Sequence, residues 1–320
     1  MRKVILYEPS IGSDNIGDQI IVDSIKAALK EYLENAFVVE LPTHTPLSKR
    51  YLHYLGDADL KIVCGSNLIV GRLNTILHLR QWDIGKCVGS IGPLVMMGVG
   101  AQKYGQNISL YTKWAYKKMM QPNFVHSVRD GYTEELLKKI GITNVVNTGC
   151  PTMWGITQEH CATIPKAKAE ECVFTLTDYK KNEVRDNRLI NILRNNYNTI
   201  YFWPQGNGDW RYFNTLKGTN DVRIISPSLD AYNYFLDNNQ VDYIGTRLHG
   251  GMRAMQKEHR TLIIGIDNRA IELHRDFNVP VLEESRIDEL ESVLNQKWDT
   301  NVILPEENIR TFLNQFLILN

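Results

Sequence analysis

Short apolar runs alternate along this chain with longer stretches in which apolar residues return every three or four positions. Residues 4–7 read as a strand. Residues 18–33 read as a helix, because Ile21, Ile25, Ala28, Leu29 and Leu33 fall on one stripe. Further strands are predicted at 37–41, 60–64, 94–99, 124–128 and 145–147, and helices at 110–120 and 132–140, the latter closed by Gly141. Residues 149–169 are turn-rich and follow neither period, which predicts an interdomain connection. The alternation then restarts, with strands at 172–176, 199–203, 222–225, 241–245 and 261–266 and helices at 183–195, 229–238, 250–256, 270–277 and 287–296. A last helix is predicted at about 306–318.

Two successive β-α-β series predict an α/β protein made of two Rossmann-like domains, residues 1–165 and 166–320, with the last helix closing the chain. Each domain is expected to hold a parallel sheet with helices on both faces. Such sheets bind ligands outside the carboxyl ends of their strands, so the two sheets are expected to face a cleft.

Composition narrows the classes. Of the 320 residues, 43% are hydrophobic and 22% charged, the profile of a soluble globular enzyme. Lys+Arg and Asp+Glu both number 36, so the net charge is zero and no nucleic-acid partner is expected. The cysteines Cys64, Cys87, Cys150, Cys161 and Cys172 are scattered and form no C-x-x-C pair, which points to a reducing cytoplasm rather than a disulfide framework. His160 and Cys161 are adjacent but lack a second ligand pair, so no metal site is expected. The N-terminal apolar run is broken early by Glu8 and Pro9 and does not suit a signal peptide. No apolar run reaches the length of a membrane span.

Candidate chemistry gathers at predicted strand ends. The loop from Ser10 to Asp18 carries Gly12, Asn15 and Gly17. Asn15 and Asp18 suit sugar hydroxyls there, or Asp18 simply caps the following helix. Gly65, Ser66 and Asn67 follow the strand 60–64. Arg129 and Asp130 end the strand 124–128, where an arginine fork can clamp a carboxylate or phosphate; Asp130 can equally cap the next helix. Residues 202–210 combine Gln205 and Asp209 with Trp203 and Trp210, whose rings suit either a sugar face or the domain core. The sharpest element is the run from Tyr243 to Arg253. Gly245, Gly250 and Gly251 clear space around Thr246, Arg247, Leu248 and His249 where a strand enters a helix, and Arg253 lies one turn beyond His249 on the same face. An arginine and a titratable histidine at a helix N-terminus form a site for a small, multiply charged anion.

These pieces, in this order, resemble the polysaccharide pyruvyl transferase family: Asp14 to Asp18, then Ser127-Val-Arg-Asp130, then Gly245-Thr-Arg-Leu-His249. The resemblance implies a GT-B-like arrangement, phosphoenolpyruvate as donor with no further cofactor, and a sugar or lipid-linked oligosaccharide as acceptor. It implies donor contacts from Arg129, Arg247, Leu248 and His249, to which the residue reading adds Arg253. Acceptor contacts are expected from Asn15, Asp18, Gln205 and Asp209. Where the family often carries a more glycine-rich run, this chain reads Cys64-Gly-Ser-Asn-Leu68.

For ketal formation, His249 would protonate the methylene carbon of phosphoenolpyruvate. Arg247 and Arg129 would balance charge as phosphate leaves, and a carboxylate such as Asp18, Asp130 or Asp209 would serve as base. The expected setting is cytoplasmic, with the inner membrane face as a place for lipid-linked acceptors. The apolar residues at 312–319 either touch lipid or pack back on a domain. Two other readings fit the same pattern: a GT-B glycosyltransferase gripping a nucleotide sugar, and a carbohydrate-binding protein without catalysis.

Overall fold

The computed structural model describes residues 2–43, 45, 56–73 and 92–317. Its contacts divide the chain into two units. The first comprises residues 1–13, 21–154 and 305–320, and the second residues 14–20 and 155–304. The sequence reading divided the chain once, at 165/166. In the structure, residues 14–20 group with the second unit and the last helix with the first.

In the first unit, β1 (Arg2–Glu8), β2 (Ala36–Pro42), β3 (Leu60–Cys64) and β4 (Val95–Met97) form a parallel sheet in the order β2-β1-β3-β4. Two more parallel strands, β5 (His126–Val128) and β6 (Val145–Asn147), continue it. The junction is made by isolated bridges and by side chains: Met96 N donates to His126 Nδ1 at 3.1 Å and Gly98 N to Ser127 Oγ at 2.8 Å. Strand alternation sorts the core into two layers. Val4, Leu6, Ile62, Cys64, Val95 and Met97 pack under α1 (Ile16–Ala28). Ile5, Tyr7, Val63 and Met96 pack on the opposite face. That face is covered by α3 (Leu110–Met119) and α4 (Gly131–Lys139), whose Ala115, Tyr116, Met119 and Leu137 join its core; a short α2 (Lys30–Leu33) follows α1.

The second unit carries six parallel strands: β7 (Glu171–Thr175), β8 (Thr199–Phe202), β9 (Arg223–Ile224), β10 (Val241–Gly245), β11 (Thr261–Gly265) and β12 (Val281–Glu283). Their order is β12-β11-β10-β7-β8-β9. The connections run in opposite directions from β7 and β10, so the loops after these two neighbours diverge and leave a crevice at their carboxyl ends. The first unit has the same kind of reversal between β1 and β3. Helices α5 (Gln158–Thr163), α6 (Glu183–Asn196), α7 (Asp209–Phe213), α8 (Leu229–Asn238), α9 (Leu248–Gln256), α10 (Asn268–Phe277) and α11 (Leu290–Leu294) belong to this unit, and α12 (Glu306–Leu317) to the first.

Several boundaries move from their sequence positions. The helix predicted at 18–33 begins at Ile16 and breaks at Leu29, whose ψ of 7° is no longer helical. The helix predicted at 287–296 opens as a 3-10 turn, Glu284–Glu289, before α11. The stretch predicted as a connection holds α5, capped by the Thr157 hydroxyl; only Cys161 of its six residues is buried, so no apolar period announces it. The end of the chain packs rather than protrudes: Phe312 and Phe316 are buried beside Tyr32, Phe124 and Trp154 of the first unit. No helix among the described residues is long and apolar enough to cross a membrane.

Candidate functional site

The run singled out in the sequence lies at the reversal of the second sheet. Gly245 ends β10 with no room for a side chain, since a Cβ would collide with Thr175 of β7. The next turn is fixed by a closed circuit of hydrogen bonds. Arg247 N donates to Thr175 Oγ1 at 3.2 Å, Thr175 and Tyr243 share a hydroxyl bond of 2.6 Å, and Tyr243 Oη donates back to Arg247 O at 2.6 Å. Arg247 is the N-cap of α9, and no side chain caps that helix. Its N-terminus, with the buried His249 in the first turn, therefore keeps backbone donors for an anion. Arg253 is buried on the same helix.

Arg247 does not offer the open fork expected from the sequence. Its Nε donates to Asp209 Oδ2 at 2.9 Å and to Leu176 O at 3.1 Å, and its Nη2 bonds Asp209 Oδ1 and, at 3.1 Å, Asp178 Oδ1. The Tyr179 ring lies 5.0 Å below the guanidinium. Among the described residues only Nη1 of the three guanidinium nitrogens is left without a bond. Burial works against the charge of Arg247, but Asp209 foremost, with Tyr179 and Asp178, raises its pKa. Burial pushes the Asp209 carboxyl up against the lowering pull of Arg247.

Asp209, expected to meet an acceptor or act as base, is fully buried as this counter-ion; it also accepts from Gly206 N at 2.7 Å and Asp178 N at 3.0 Å. Asn15 and Gln205, expected to meet acceptor hydroxyls, bind each other: Gln205 Nε2 donates to Asn15 Oδ1 at 2.8 Å. Asn15 Oδ1 also accepts from Gly17 N at 3.1 Å, so Asn15 rather than Asp18 stands at the head of α1. Asp18 is buried in the first turn. Gln205 Oε1 is buried with no bond of its own, and a Cβ on Gly250 would stand 3.0 Å from it. That places an unused polar atom beside the N-terminus of α9. Trp203 is core, stacked on Tyr232 at 3.8 Å, whereas Trp210 is 44% exposed.

In the first unit, Arg129 leaves β5 with its side chain 3% exposed. Its Nε donates to Asp130 Oδ2 at 3.2 Å, while Nη2 is buried without a hydrogen bond among the described residues. Gly100, after β4, makes the space; a Cβ there would collide with the guanidinium. Asp130 takes the capping role, accepting from Thr133 N at 2.7 Å and Thr133 Oγ1 at 2.6 Å, so both its oxygens are engaged. At the reversal of the first sheet, Asn67 Oδ1 is buried and unbonded.

The sequence reading missed Asp178 and Tyr179, which follow β7, and Asp267 and Arg269, which follow β11. Arg269 bonds Asp267 at 3.0 Å and also bonds the Tyr179 hydroxyl. The signal was present, since both pairs follow strands that were predicted, but their loops lack the glycines that drew notice elsewhere. Gly206 was passed over too: a Cβ there would strike Nη2 of Arg247.

Solved structures with a similar fold include a Methanocaldococcus jannaschii UDP-GlcNAc 2-epimerase in complex with UDP-GlcNAc and UDP. It is 14% identical, with 100% of this chain and 99% of that chain covered and a TM-score of 0.59. The S. aureus protein MnaA in a UDP co-structure is 9% identical over 98% and 91% of the two chains, with a TM-score of 0.58. At these identities the likeness shows the fold, two Rossmann-like domains with parallel sheets, of the GT-B type. A comparison with curated protein sequences finds no match. A family model, described as polysaccharide pyruvyl transferase, matches residues 15–268 and so takes in Asn15, Arg129, Gln205, Asp209, Arg247 and His249. The chain belongs to the polysaccharide pyruvyl transferase family, transferases of polysaccharide biosynthesis.

Proposed function

We propose that this protein transfers pyruvate from phosphoenolpyruvate to a pair of sugar hydroxyls, forming a ketal and releasing phosphate. The observation that carries the reading is Nη2 of Arg129. A cationic donor buried without a partner is costly, and a carboxylate or phosphate is the ligand that would satisfy it. In the second unit the uncapped N-terminus of α9, Nη1 of Arg247, and His249 supply the same anion chemistry. Arg253, on the same helix, is included among the donor contacts.

In the proposed reaction His249, as imidazolium, gives a proton to the methylene carbon of the donor. Two carbon–oxygen bonds form to the adjacent carbon and its bond to the phosphate oxygen breaks. One hydroxyl proton replaces the proton lost by His249 and the other leaves with phosphate, so atoms and charge balance. Asp209 is the counter-ion of Arg247 and Asp130 caps a helix; Asp18, buried in the first turn of α1, is the carboxylate proposed for base catalysis. The proposed acceptor is a sugar, free or on a lipid-linked oligosaccharide, and the proposed setting is the cytoplasm.

Calorimetric titration tests the donor. Phosphoenolpyruvate is expected to bind the wild-type protein, to bind Arg129→Lys at least about tenfold more weakly because the fork is lost, and to bind His249→Ala within a few-fold of wild type. Binding of a nucleotide sugar with phosphoenolpyruvate silent would replace this reading with glycosyl transfer. Binding of saccharide alone, without phosphate release, would favour the non-catalytic reading.

A further inference from the structure

Helix α3 shows solvent an unusual face. Its sequence, Leu110 to Met119, contains no acidic residue. Thr112, Ala115, Tyr116 and Met119 are buried, and at 100° per residue they occupy one side. On the other side Leu110 is 87% exposed and Trp114 is 50% exposed. Lys113 and Lys117 flank this pair on one edge, and Lys118 and Tyr111 on the other. Among the described residues no carboxylate pairs with any of these lysines, whereas Lys138 and Lys139 of the neighbouring α4 are paired to Glu134 and Glu135. Leu110 faces water over most of its surface and Trp114 over half of it, and neither belongs to the buried core cluster of the first unit.

We infer that this face of α3 docks the protein on an anionic lipid bilayer. Leucine and indole suit the boundary between headgroups and acyl chains, while lysine stems lie along apolar surface and carry their ammonium groups to the phosphates. The choice of a bilayer over a protein rests on charge. Three lysines flanking an apolar centre, with no carboxylate on them among the described residues, complement a surface that is negative everywhere, and each lysine near such a surface contributes roughly fivefold in affinity. The inference stands independently of the donor, because neither Arg129 nor α9 enters it.

Sedimentation with vesicles tests it on the full-length protein. Wild type is expected to pellet with phosphatidylglycerol-containing vesicles, less with pure phosphatidylcholine, and less at high salt. Leu110→Glu/Trp114→Glu should remove pelleting, and Lys117→Ala/Lys118→Ala should weaken it about 25-fold. These side chains are exposed, so both variants should melt at the wild-type temperature, which separates docking from folding. A wild type that stays in the supernatant with anionic vesicles would overturn the inference. So would a Leu110→Glu/Trp114→Glu variant that pellets like wild type.

Discussion

At the scale of single residues, the crevice of the second unit is organised around one ion pair. Asp209 receives two arms of Arg247 and two backbone N–H groups and is fully buried, whereas Asp178, the other carboxylate on that guanidinium, is about a third exposed. Removing one partner of a buried pair strands the other charge, and this penalty, rather than the attraction of the intact pair, sets the cost. Asp209→Ala is therefore expected to destabilise the protein by about 3–5 kcal/mol in urea denaturation. Asp178→Ala, at a carboxylate about a third exposed, should cost about 1 kcal/mol or less. Equal effects from the two would mean that Arg247 is held by the crevice as a whole and not by Asp209.

At the scale of elements, β4 and β5 are joined through a histidine. His126 is fully buried, its Nδ1 accepts from Met96 N, and its Nε2 faces Gln121 O at 3.1 Å, which fixes the neutral ring with its proton on Nε2. A second proton would set N–H against N–H at Met96. Burial accordingly lowers the His126 pKa from 6.5 to about 4. The unfolded chain takes up a proton near pH 6.5 and the folded one only near 4. Stability is therefore whole above about 6.5 and falls as the pH drops through that window, by about 3 kcal/mol. Urea titrations at pH 7 and 4.5 should show this fall, and His126→Gln should flatten it. An unchanged slope in that variant would assign the acid sensitivity to other groups.

The same junction shows what a sequence can and cannot reveal. Apolar periodicity gave the strand and helix order because each element buries a stripe of its own. It overstated the strand 124–128, because Phe124 and Val125 are apolar without pairing to another strand. Arg129, Arg247 and His249 stood out because chemistry at a strand end is local in sequence. Asp178 and Tyr179 did not, since their importance comes from β7 lying beside β10, a neighbour relation that only the sheet order supplies. For the same reason Asp209 read as a ligand contact when it is a counter-ion.

At the scale of the whole molecule, the chain order does not follow the cores. The last helix comes after the whole second unit yet completes the first. Phe312 and Phe316 join the layer formed by Val4, Leu6, Ile62 and Val95. Gln315 pairs both polar atoms of its amide with the backbone of Val125, at 2.9 and 3.0 Å, and Asn308 bonds Asn147 O at 2.8 Å. An amphipathic stripe in sequence says that a helix covers something; it does not say which core. Removing the Phe312 ring should open a cavity worth about 3–5 kcal/mol. If the cores are divided as the contacts divide them, the loss should be local. Hydrogen exchange in Phe312→Ala should accelerate in β1, β3 and β4 while β7, β10 and α9 keep their wild-type protection. Acceleration throughout both sheets would mean instead that the two units unfold as one cooperative block.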